Sequence, residues 1–504
     1  MICKRWLAVT AVPALVVICS MTSTAQNQPA KLIVQWDKVI GTSQTTPTLQ
    51  VVVNPPLQRS TPVHDNAFQS LHDLGADYVR YVPWLPYPKL GVAELEPPKD
   101  GKTSWDFSLI DPMTIDFLDA TKGHSVILNF STIPQWMYKT DKPVPYPADP
   151  NQVTWDYEQG AELRDPSMKE VADYYARLVS WYTNGGFTDE LGKRHDSGYH
   201  YKISHWEFLN EIDFEHHFDP ETYTRLYDAT VTAIKKVQPD MKFVGLAMAT
   251  ETDPHYFEYF LDHKNHKRGV PLDFISYHFY AVPGPDETPE VEQFTYFAQA
   301  EGFLKTVRYI ESIRKRLSPE TKTTIDELGV ISADDLAQGE AGHVAKPIEN
   351  SYWNLAGAMY AYLFAEMTKI GIDVAGESQL VGFPTQFPSV SMVDWNNGKP
   401  NARFWALKLL HDNFGPGDKL VEVGSFAPVD TYVYASAVVT HNGKKRLLLI
   451  NKRDRPFELA VAGANGGQLD YVDQTTGFQP PAAAKLTADM VKLGGYSVAV
   501  VTLP

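Results

Sequence analysis

Between about residue 70 and residue 415 the chain repeats one pattern of apolar and polar positions. A short apolar run is followed by a polar or aromatic tail, and then by a stretch with apolar residues three and four positions apart. Such runs indicate buried strands, and the three- and four-residue spacing indicates amphipathic helices. The apolar runs lie at 78–83, 125–130, 205–209, 242–247, 274–280, 323–331 and 371–375. The helical stretches include 220–237, 292–317 and 353–369.

This alternation predicts parallel strands joined by crossover helices. A further strand near residues 49–53 would bring the apolar runs to the eight that close a barrel. The expected fold is therefore α/β, a (β/α)8 TIM barrel over residues 61–417. Counted from the strand near 49–53, the run at 205–209 is the fourth strand and the run at 323–331 is the seventh.

After Gly415-Pro416-Gly417 the pattern changes to short strands and turns. Residues 432–439 and 445–451 flank an Asn-Gly pair, which is typical of a β-hairpin. We predict a C-terminal β-sandwich over residues 418–504. Residues 26–60 are expected to form N-terminal strands, and the strand at 31–36 could pair with this sandwich.

The first 25 residues have the composition of a secretory signal peptide. Lys4 and Arg5 precede an apolar run over 6–19, and Ser-Thr-Ala closes the segment at 23–25. We expect the protein to be secreted or periplasmic after cleavage. Cys3 and Cys19 are the cysteines of the chain, so the mature protein would contain none. Cys19 could alternatively carry a lipid, but Ile18 is bulky where that processing requires a small residue.

Charge and composition narrow the range of partners. The formal net charge is −16 at pH 7, whereas nucleic acids and anionic membranes attract basic surfaces. We therefore expect no nucleic-acid partner and no membrane insertion. The chain contains 11 Trp, 26 Tyr and 24 Phe, which suits stacking on sugar rings and a large core equally well. The sequence carries no signal for the oligomeric state.

We expect no metal and no cofactor. The adjacent His216 and His217 invite a metal interpretation, but no His-x-His or His-Glu-x-x-His pattern accompanies them, and neighbouring histidines rarely bind one ion together. The sequence also lacks a glycine-rich phosphate loop and the Gly-x-Ser-x-Gly elbow of serine hydrolases.

Reactive side chains collect at the ends of the predicted strands. In a barrel of this kind the carboxyl ends of the strands surround one cavity. The second, fourth, sixth and seventh strands carry Arg80, Asn210-Glu211, His278-Phe279-Tyr280 and Asp326-Glu327. We therefore expect these side chains to converge.

Two glutamates in this set fit glycoside hydrolysis with retention. One carboxylic acid protonates the leaving oxygen, and a carboxylate about 5–5.5 Å away attacks the anomeric carbon. Glu211 is the expected acid/base, because partial burial and a nearby anion would raise its pKa. The nucleophile is Glu327 or its neighbour Asp326, since adjacent strand residues point to opposite faces and only one would face the cavity directly.

The other candidates are expected to bind substrate. Arg80 and Tyr280 would donate hydrogen bonds beside the nucleophile, and Asn210 would contact the sugar 2-hydroxyl. His278 lies two residues from Tyr280 and so shares its strand face. Trp136, which follows the third strand, is expected to stack on a sugar ring.

These motifs resemble those of the retaining (β/α)8 glycosidases with catalytic glutamates on strands four and seven. Within that clan the chain is most similar to glycoside hydrolase family 39, which includes β-xylosidases and α-L-iduronidases. Asn-Glu-Ile-Asp at 210–213 is similar to the family's Asn-Glu-Pro-Asp or Asn-Glu-Pro-Asn, and Asp326-Glu327 is similar to its Asp-Glu nucleophile segment. Ile212 stands where proline is usual.

The resemblance implies that Glu327 rather than Asp326 is the nucleophile. It implies a secreted, retaining O-glycoside hydrolase that acts by double displacement on a xyloside-like or related oligosaccharide. Families such as the arabinofuranosidases share this layout, so the sugar, its linkage and its anomeric configuration stay open. The segments 146–164 and 283–292 are expected to shape the cavity. The alternative is a catalytically inactive carbohydrate-binding protein on the same barrel.

Overall fold

The computed structural model describes residues 30–157, 160–338, 343–424 and 432–504, so the predicted leader lies outside the described residues. In chain order the strands are β1 (Ala30–Thr42), β2 (Thr46–Val52), β3 (Val79–Val82), β4 (Val126–Leu128), β5 (Gly186–Thr188), β6 (Arg194–Asp196), β7 (His205–Glu207), β8 (Lys242–Met248), β9 (Phe274–Ala281), β10 (Lys322–Val330), β11 (Val374–Glu377), β12 (Lys419–Gly424), β13 (Val433–Val439), β14 (Lys445–Asn451), β15 (Phe457–Val461), β16 (Gln468–Val472), β17 (Ala482–Lys485), β18 (Met490–Leu493) and β19 (Val498–Thr502). The α-helices are α1 (His64–Leu74), α2 (Pro88–Gly91), α3 (Asp111–Ala120), α4 (Lys169–Thr183), α5 (Pro220–Val237), α6 (Pro254–Leu261), α7 (Pro289–Leu317), α8 (Asn350–Ile370) and α9 (Ala402–Asn413).

A closed barrel of parallel strands forms the centre of the larger domain. Around the barrel the order is β2, β3, β4, β7, β8, β9, β10 and β11, and β11 pairs back to β2. Counted from β2, β7 is the fourth strand and β10 is the seventh. Because a helix follows each strand, the carboxyl ends of all eight strands meet at one face of the barrel.

The helices around the barrel begin and end at residues that suit helix termini. Before α5, the carboxylate of Asp219 accepts a hydrogen bond from the N–H of Thr222, and Pro220 occupies the first turn. Helix α8 ends at Gly371, whose φ of 91° is the left-handed conformation that glycine adopts without a steric penalty. Within the described ranges, no helix combines the length and apolar character needed to cross a membrane.

The barrel begins earlier in the chain than residue 61, the boundary expected from the sequence. Strand β2 contains most of the run at 49–53 that the sequence predicts as the eighth barrel strand, and it closes the barrel between β11 and β3. Thr46 pairs with Val374, and Gln50 pairs with Arg80. Nearly every residue of β2 is buried because helices cover its outer face. The barrel domain therefore starts at Thr46.

The remaining long strands form a curled sheet beside the barrel. Among the described residues its order is β17, β16, β19, β14, β13, β12, β1, β15 and β18. Strand β1 lies antiparallel to β12 and parallel to β15. The sheet closes over an apolar core that includes Leu32, Leu447, Leu459 and Val501. The predicted fold class, a (β/α)8 barrel with a C-terminal β-sandwich, is confirmed.

The sandwich packs against the barrel through helices α8 and α9. Leu448, Ile450 and Val498, on the face of the sheet opposite its own core, belong to the same apolar cluster as the barrel helices. The hydroxyl of Tyr434 also donates to Glu366 Oε1 at 2.8 Å across this boundary. The two domains therefore share a continuous core.

Candidate active site

A cavity of 820 Å³ opens at the carboxyl ends of the barrel strands. Its walls carry Glu211 and Glu327, together with Asn210 and Tyr280. One carboxylate oxygen of Glu211 lies within 4.8 Å of one carboxylate oxygen of Glu327. The structure thus brings the two glutamates singled out in the sequence into one cavity, at the ends of the fourth and seventh strands.

Glu211 reaches the cavity from a sharp turn that follows β7. Leu209 and Glu211 have φ angles of 60° and 44°, in the left-handed region that residues other than glycine rarely adopt and that is found most often at functional sites. The carbonyl of Glu211 then accepts hydrogen bonds from the N–H groups of Phe214 at 2.9 Å and Glu215 at 2.7 Å. This turn places Glu211 and Glu215 on the same wall of the cavity.

Glu327 has an environment that favours its ionised form. Arg80 Nη1 donates to Glu327 Oε1 at 2.5 Å, and the Tyr280 hydroxyl donates to Oε2 at 2.6 Å. Burial by itself would raise the pKa of Glu327. The positive charges of His278 and Arg80 and the hydrogen bond from Tyr280 outweigh that effect and hold the pKa below its ordinary value. Glu327 is therefore a carboxylate at neutral pH.

Glu211 has the opposite environment. Burial raises the pKa of Glu211 above its ordinary value. Contact with His278, whose Nδ1 lies 3.0 Å from Glu211 Oε1, offsets part of this effect, and the negative charge of Glu327 adds to it. Glu211 therefore keeps its proton to a higher pH than Glu327 does.

His278 is fully buried beneath the two glutamates and does not line the cavity. Burial alone would lower its pKa, but the charges of Glu327, Asp326 and Glu211 and the hydrogen bond to Glu211 raise it to about 9. The imidazole is therefore a cation at neutral pH. Glu211, His278 and Glu327 bring three potential metal-ligand atoms within 4.8 Å of one another, and an ion bound there would have to displace the proton of His278.

Of the pair Asp326 and Glu327, Glu327 alone lines the cavity, as the sequence predicts, although both side chains point into the interior of the barrel. The pairing of β10 with β9 shifts register between Thr324 and Glu327, as it does where a bulge inserts an extra residue. Asp326 Oδ2 lies 3.3 Å from Arg80 Nε, and its Oδ1 lies 3.6 Å from His278 Nε2. Glu327 lines the cavity whereas Asp326 lies beneath it, 2% exposed.

Arg80 also lies beneath the cavity rather than in its wall, at 1% exposure. Its guanidinium donates from Nε to Glu207 Oε2 at 2.6 Å, from Nη1 to Gln50 Oε1 at 2.9 Å, and from Nη2 to Asn210 Oδ1 at 2.8 Å, in addition to its bond with Glu327. Arg80 therefore positions Glu327 and Asn210. Asn210 and Tyr280 are the predicted substrate-binding residues that reach the cavity itself.

Glu207 is a member of this buried network that sequence analysis missed. Its carboxylate accepts hydrogen bonds from Arg80, from Asn129 Nδ2 at 2.8 Å and from the Ser276 hydroxyl at 2.5 Å. The sequence did contain a signal for Glu207, which is a charged residue inside the apolar run of the fourth strand. A carboxylate buried in this way requires polar partners, so it indicates a buried polar network.

Glu215 is a second missed residue, and it lines the cavity. Its Oε1 accepts hydrogen bonds from Asn210 Nδ2 at 2.9 Å and from Trp84 Nε1 at 2.7 Å. Burial raises the pKa of Glu215 well above its ordinary value, and the charge of Glu211 raises it further. The four-residue spacing between Glu211 and Glu215 was a weak signal that both face the cavity. It was weak because the sequence does not reveal the conformation of the turn between them.

The structure does not bring Trp136 to the cavity. Its indole N–H donates to the carbonyl of Glu94 at 2.9 Å, and the guanidinium of Arg164 lies 4.7 Å from the centre of its ring. Both the polar edge and one face of the ring are therefore occupied by other parts of the protein. In this structure Trp136 is therefore not placed to stack on a sugar in the cavity, contrary to the arrangement expected from the sequence.

Other aromatic residues form a wall of the cavity instead. Trp84 packs against Trp155 with ring centres 5.3 Å apart, and Phe387 lies 6.2 Å from Trp84 and 6.1 Å from Trp155. Trp155 belongs to the segment 146–164, which also contributes Tyr157 to the lining. No described residue of 283–292 lines the cavity. Of the two segments expected to shape the cavity, 146–164 therefore contributes to its wall and 283–292 does not.

Comparisons with known proteins agree with this geometry. The chain resembles a family 51 α-L-arabinofuranosidase from Bifidobacterium longum with a TM-score of 0.64 at 14% identity, over 95% of this chain and 100% of the other. It resembles a glucosidase from Croceicoccus marinus with a TM-score of 0.59 at 16% identity, over 94% and 99% of the two chains. It resembles the catalytic domain of GH30 xylanase C from Talaromyces cellulolyticus with a TM-score of 0.59 at 11% identity, over 94% and 100%.

At these identities the structural likeness shows the shared fold. No curated protein sequence matches the chain. The sequence model of the glycosyl hydrolases family 39 matches residues 21–318. This match covers more than half of the chain and includes the fourth strand with Asn210 and Glu211. The chain belongs to glycosyl hydrolases family 39.

Proposed function

We propose that this family 39 member is a retaining glycosidase that releases a neutral pentose from the end of a xyloside or a related oligosaccharide. The observation that carries the proposal is the pair Glu211 and Glu327, with carboxylate oxygens within 4.8 Å and with pKa values shifted in opposite directions. Retaining glycosidases have carboxyl groups about 5–5.5 Å apart, whereas inverting enzymes leave room for a water molecule between them.

In the proposed reaction Glu211 donates its proton to the glycosidic oxygen while a carboxylate oxygen of Glu327 attacks the anomeric carbon. The bond from that carbon to the leaving oxygen breaks, and a glycosyl ester on Glu327 forms. Glu211, now ionised, then removes a proton from water, which attacks the same carbon and releases Glu327 as a carboxylate. The raised pKa of Glu211 and the lowered pKa of Glu327 suit these two starting states.

The polar groups of the cavity favour a neutral sugar over a uronic acid. Among the described residues, no lysine or arginine lines the cavity, whereas Glu211, Glu215 and Glu327 do. Arg80, beneath them, already donates to four side chains. The carboxylate of a uronide would therefore meet negative charge without a free cation to balance it.

A pentose at the chain end is supported by the walls of the cavity and by the structural relatives. Trp155, Tyr157, Gly160 and Ala161 of the segment 146–164 line one side, which suits a pocket that takes a terminal sugar more than an open cleft. Two of the similar structures carry the names arabinofuranosidase and xylanase. Secretion or periplasmic location is supported by the leader-like composition of residues 1–25.

The test uses aryl glycosides of xylose, arabinose, glucose and iduronic acid with the wild type and two variants. We expect turnover of a pentoside, loss of turnover in Glu327→Gly, and in Glu211→Ala a rate that falls most for poor leaving groups. Azide should restore Glu211→Ala and yield a glycosyl azide of retained configuration. Glu301→Ala, an exposed carboxylate on α7, is the matched control and should behave as the wild type.

Four outcomes would contradict parts of the proposal. An azide product of inverted configuration would exchange the two roles. Full activity in Glu327→Gly or Glu211→Ala would remove the assignment. Sugar binding without turnover of any glycoside would favour the carbohydrate-binding alternative, and preferential turnover of the iduronide would overturn the neutral-sugar assignment.

A further inference from the structure

Glu215 places a third carboxyl group in the cavity, and the double displacement does not use it. Its side chain is 5% exposed. Oε1 accepts hydrogen bonds from both Asn210 and Trp84, while Oε2 is buried and has no hydrogen-bond partner among the described residues. A buried carboxyl that accepts two bonds on one oxygen is costly to retain for stability alone.

The contacts of Glu215 determine which way the amide of Asn210 points. Arg80 Nη2 donates to Asn210 Oδ1, and Asn210 Nδ2 donates to Glu215 Oε1. If the amide were rotated by half a turn, its NH2 group would face the guanidinium and its oxygen would face the Glu215 oxygen, and both contacts would be repulsive. Arg80 and Glu215 together therefore select one amide orientation.

In that orientation one N–H of Asn210 has no acceptor among the described residues. An amide nitrogen carries two hydrogens, and the bond to Glu215 uses one of them. Asn210 lines the cavity directly before Glu211 in the chain, so its second N–H is available to a sugar hydroxyl next to the reacting carbon. Without the acceptor on Glu215 the amide could rotate and present its oxygen instead.

We propose that Glu215 is a positioning residue that fixes Asn210 as a hydrogen-bond donor, and so makes the site selective for sugars with a free 2-hydroxyl group. This inference rests on the proposed function, because it assigns the 2-hydroxyl to the donor beside Glu211. The feature that matters is the acceptor oxygen of Glu215 rather than a negative charge, since an amide carbonyl in its place accepts the same two hydrogen bonds.

The turn after β7 explains how Glu215 reaches this position. The N–H of Glu215 donates to the carbonyl of Glu211 at 2.7 Å, which folds the chain back so that both side chains line one wall. The second donor to Glu215, Trp84, also lines the cavity and packs on Trp155. Glu215 therefore links the sugar-binding amide to the aromatic wall.

The test compares Glu215→Leu with Glu215→Gln on a matched pair of aryl glycosides, one with a 2-hydroxyl and one that is 2-deoxy. We expect Glu215→Leu to lower kcat/KM for the hydroxyl substrate by about 10- to 100-fold, the size of one lost hydrogen bond made in the transition state. The 2-deoxy substrate should change by less than about threefold, because it lacks the group that Asn210 contacts. Glu215→Gln should stay within about threefold of the wild type on both.

A double variant separates positioning from general damage. If Glu215 acts through Asn210, Asn210→Ala with Glu215→Leu should be no slower than Asn210→Ala alone. Equal losses on both substrates, additive losses in the double variant, or a Glu215→Gln enzyme as slow as Glu215→Leu would overturn the inference. These outcomes leave the proposed function intact, which fails only if the Glu211 and Glu327 variants keep full activity or the azide product has the wrong configuration.

Discussion

The barrel and the sandwich bury very different groups. At the carboxyl end of the barrel Glu207, Asp326 and Glu327 each lie within ion-pair distance of Arg80, and all four residues are at most 7% exposed. The core of the sandwich is built from aliphatic residues such as Leu447 and Val501. One molecule therefore contains a polar interior and an apolar interior side by side.

The polar interior of the barrel contributes less to stability than an apolar core would, but it provides the charged groups of the candidate active site. Burying an ion cluster costs several kcal/mol of desolvation per charge before any attraction is counted, and apolar residues of similar size often stabilise a protein more. The same burial moves pKa values, which lets two glutamates at the ends of the fourth and seventh strands hold different protonation states. The apolar core of the sandwich offers no such groups, and its role is structural.

The largest effect is expected from removing the central charge of the polar interior. Arg80→Met leaves Glu207, Asp326 and Glu327 buried without their main counter-charge, so we expect a loss of about 3–5 kcal/mol in the free energy of unfolding and no measurable turnover. Leu447→Ala, in the apolar interior, should cost about 2–5 kcal/mol but leave the kcat of the folded fraction unchanged. Urea unfolding and turnover assays on both variants check these expectations. An active Arg80→Met enzyme would contradict the view that the polar interior serves the reaction.

A smaller effect is expected from Tyr280→Phe. The wild type should be active between an acid limb, where Glu327 takes up a proton, and an alkaline limb, where Glu211 loses one. Because the pKa of Glu327 is lowered and that of Glu211 is raised, this range should be wide. Losing the Tyr280 hydrogen bond removes stabilisation of the Glu327 carboxylate.

The acid limb of kcat/KM in Tyr280→Phe should therefore move to higher pH, and the maximal rate should fall about tenfold. Tyr309→Phe, at an exposed position on α7, is the matched control and should leave the profile unchanged. An acid limb that stays in place would show that Tyr280 does not support the charge of Glu327.

The smallest effect concerns two tryptophans: Trp136, which the sequence predicts to stack on a sugar, and Trp155, which the structure places in the cavity wall. Trp155→Ala removes part of the aromatic wall and should raise KM by about three- to tenfold, with a smaller change in kcat. Trp136→Ala should leave KM unchanged, because that ring does not reach the cavity. Initial-rate measurements on the best substrate decide this, and a larger KM change in Trp136→Ala would reverse the assignment.

Sequence pattern was enough to predict the barrel, the sandwich and the place of Glu211, because each depends on local periodicity and on the ends of strands. The choice of Glu327 over Asp326 came from the resemblance to family 39 and not from the pattern. The convergence of Arg80, His278 and Tyr280 on Glu327 followed from the same rule. The sequence did not show that Tyr280 lines the cavity while Arg80 and His278 lie beneath it, because this depends on how deep each side chain lies in the barrel.

Three features depend on contacts that no local pattern records. The register shift in β10 turns Asp326 and Glu327 to the same side, against the alternation expected of a regular strand. Glu215 reaches the cavity through a left-handed turn at Leu209 and Glu211, which residue type alone disfavours. One face of the Trp136 ring is covered by the guanidinium of Arg164, which lies 28 residues further along the chain.

The place of β1 in the sandwich has a consequence for how the protein is made. This strand lies between β12 and β15, which the ribosome produces only after the whole barrel. During synthesis both edges of β1 therefore stay unpaired until β12 and β15 have been made. Unpaired edges can pair with other chains, and the exposed Ile33, Val39 and Ile40 make β1 apolar. Expression of the barrel without the residues after 418 would make that unpaired state permanent, so truncated versions should aggregate.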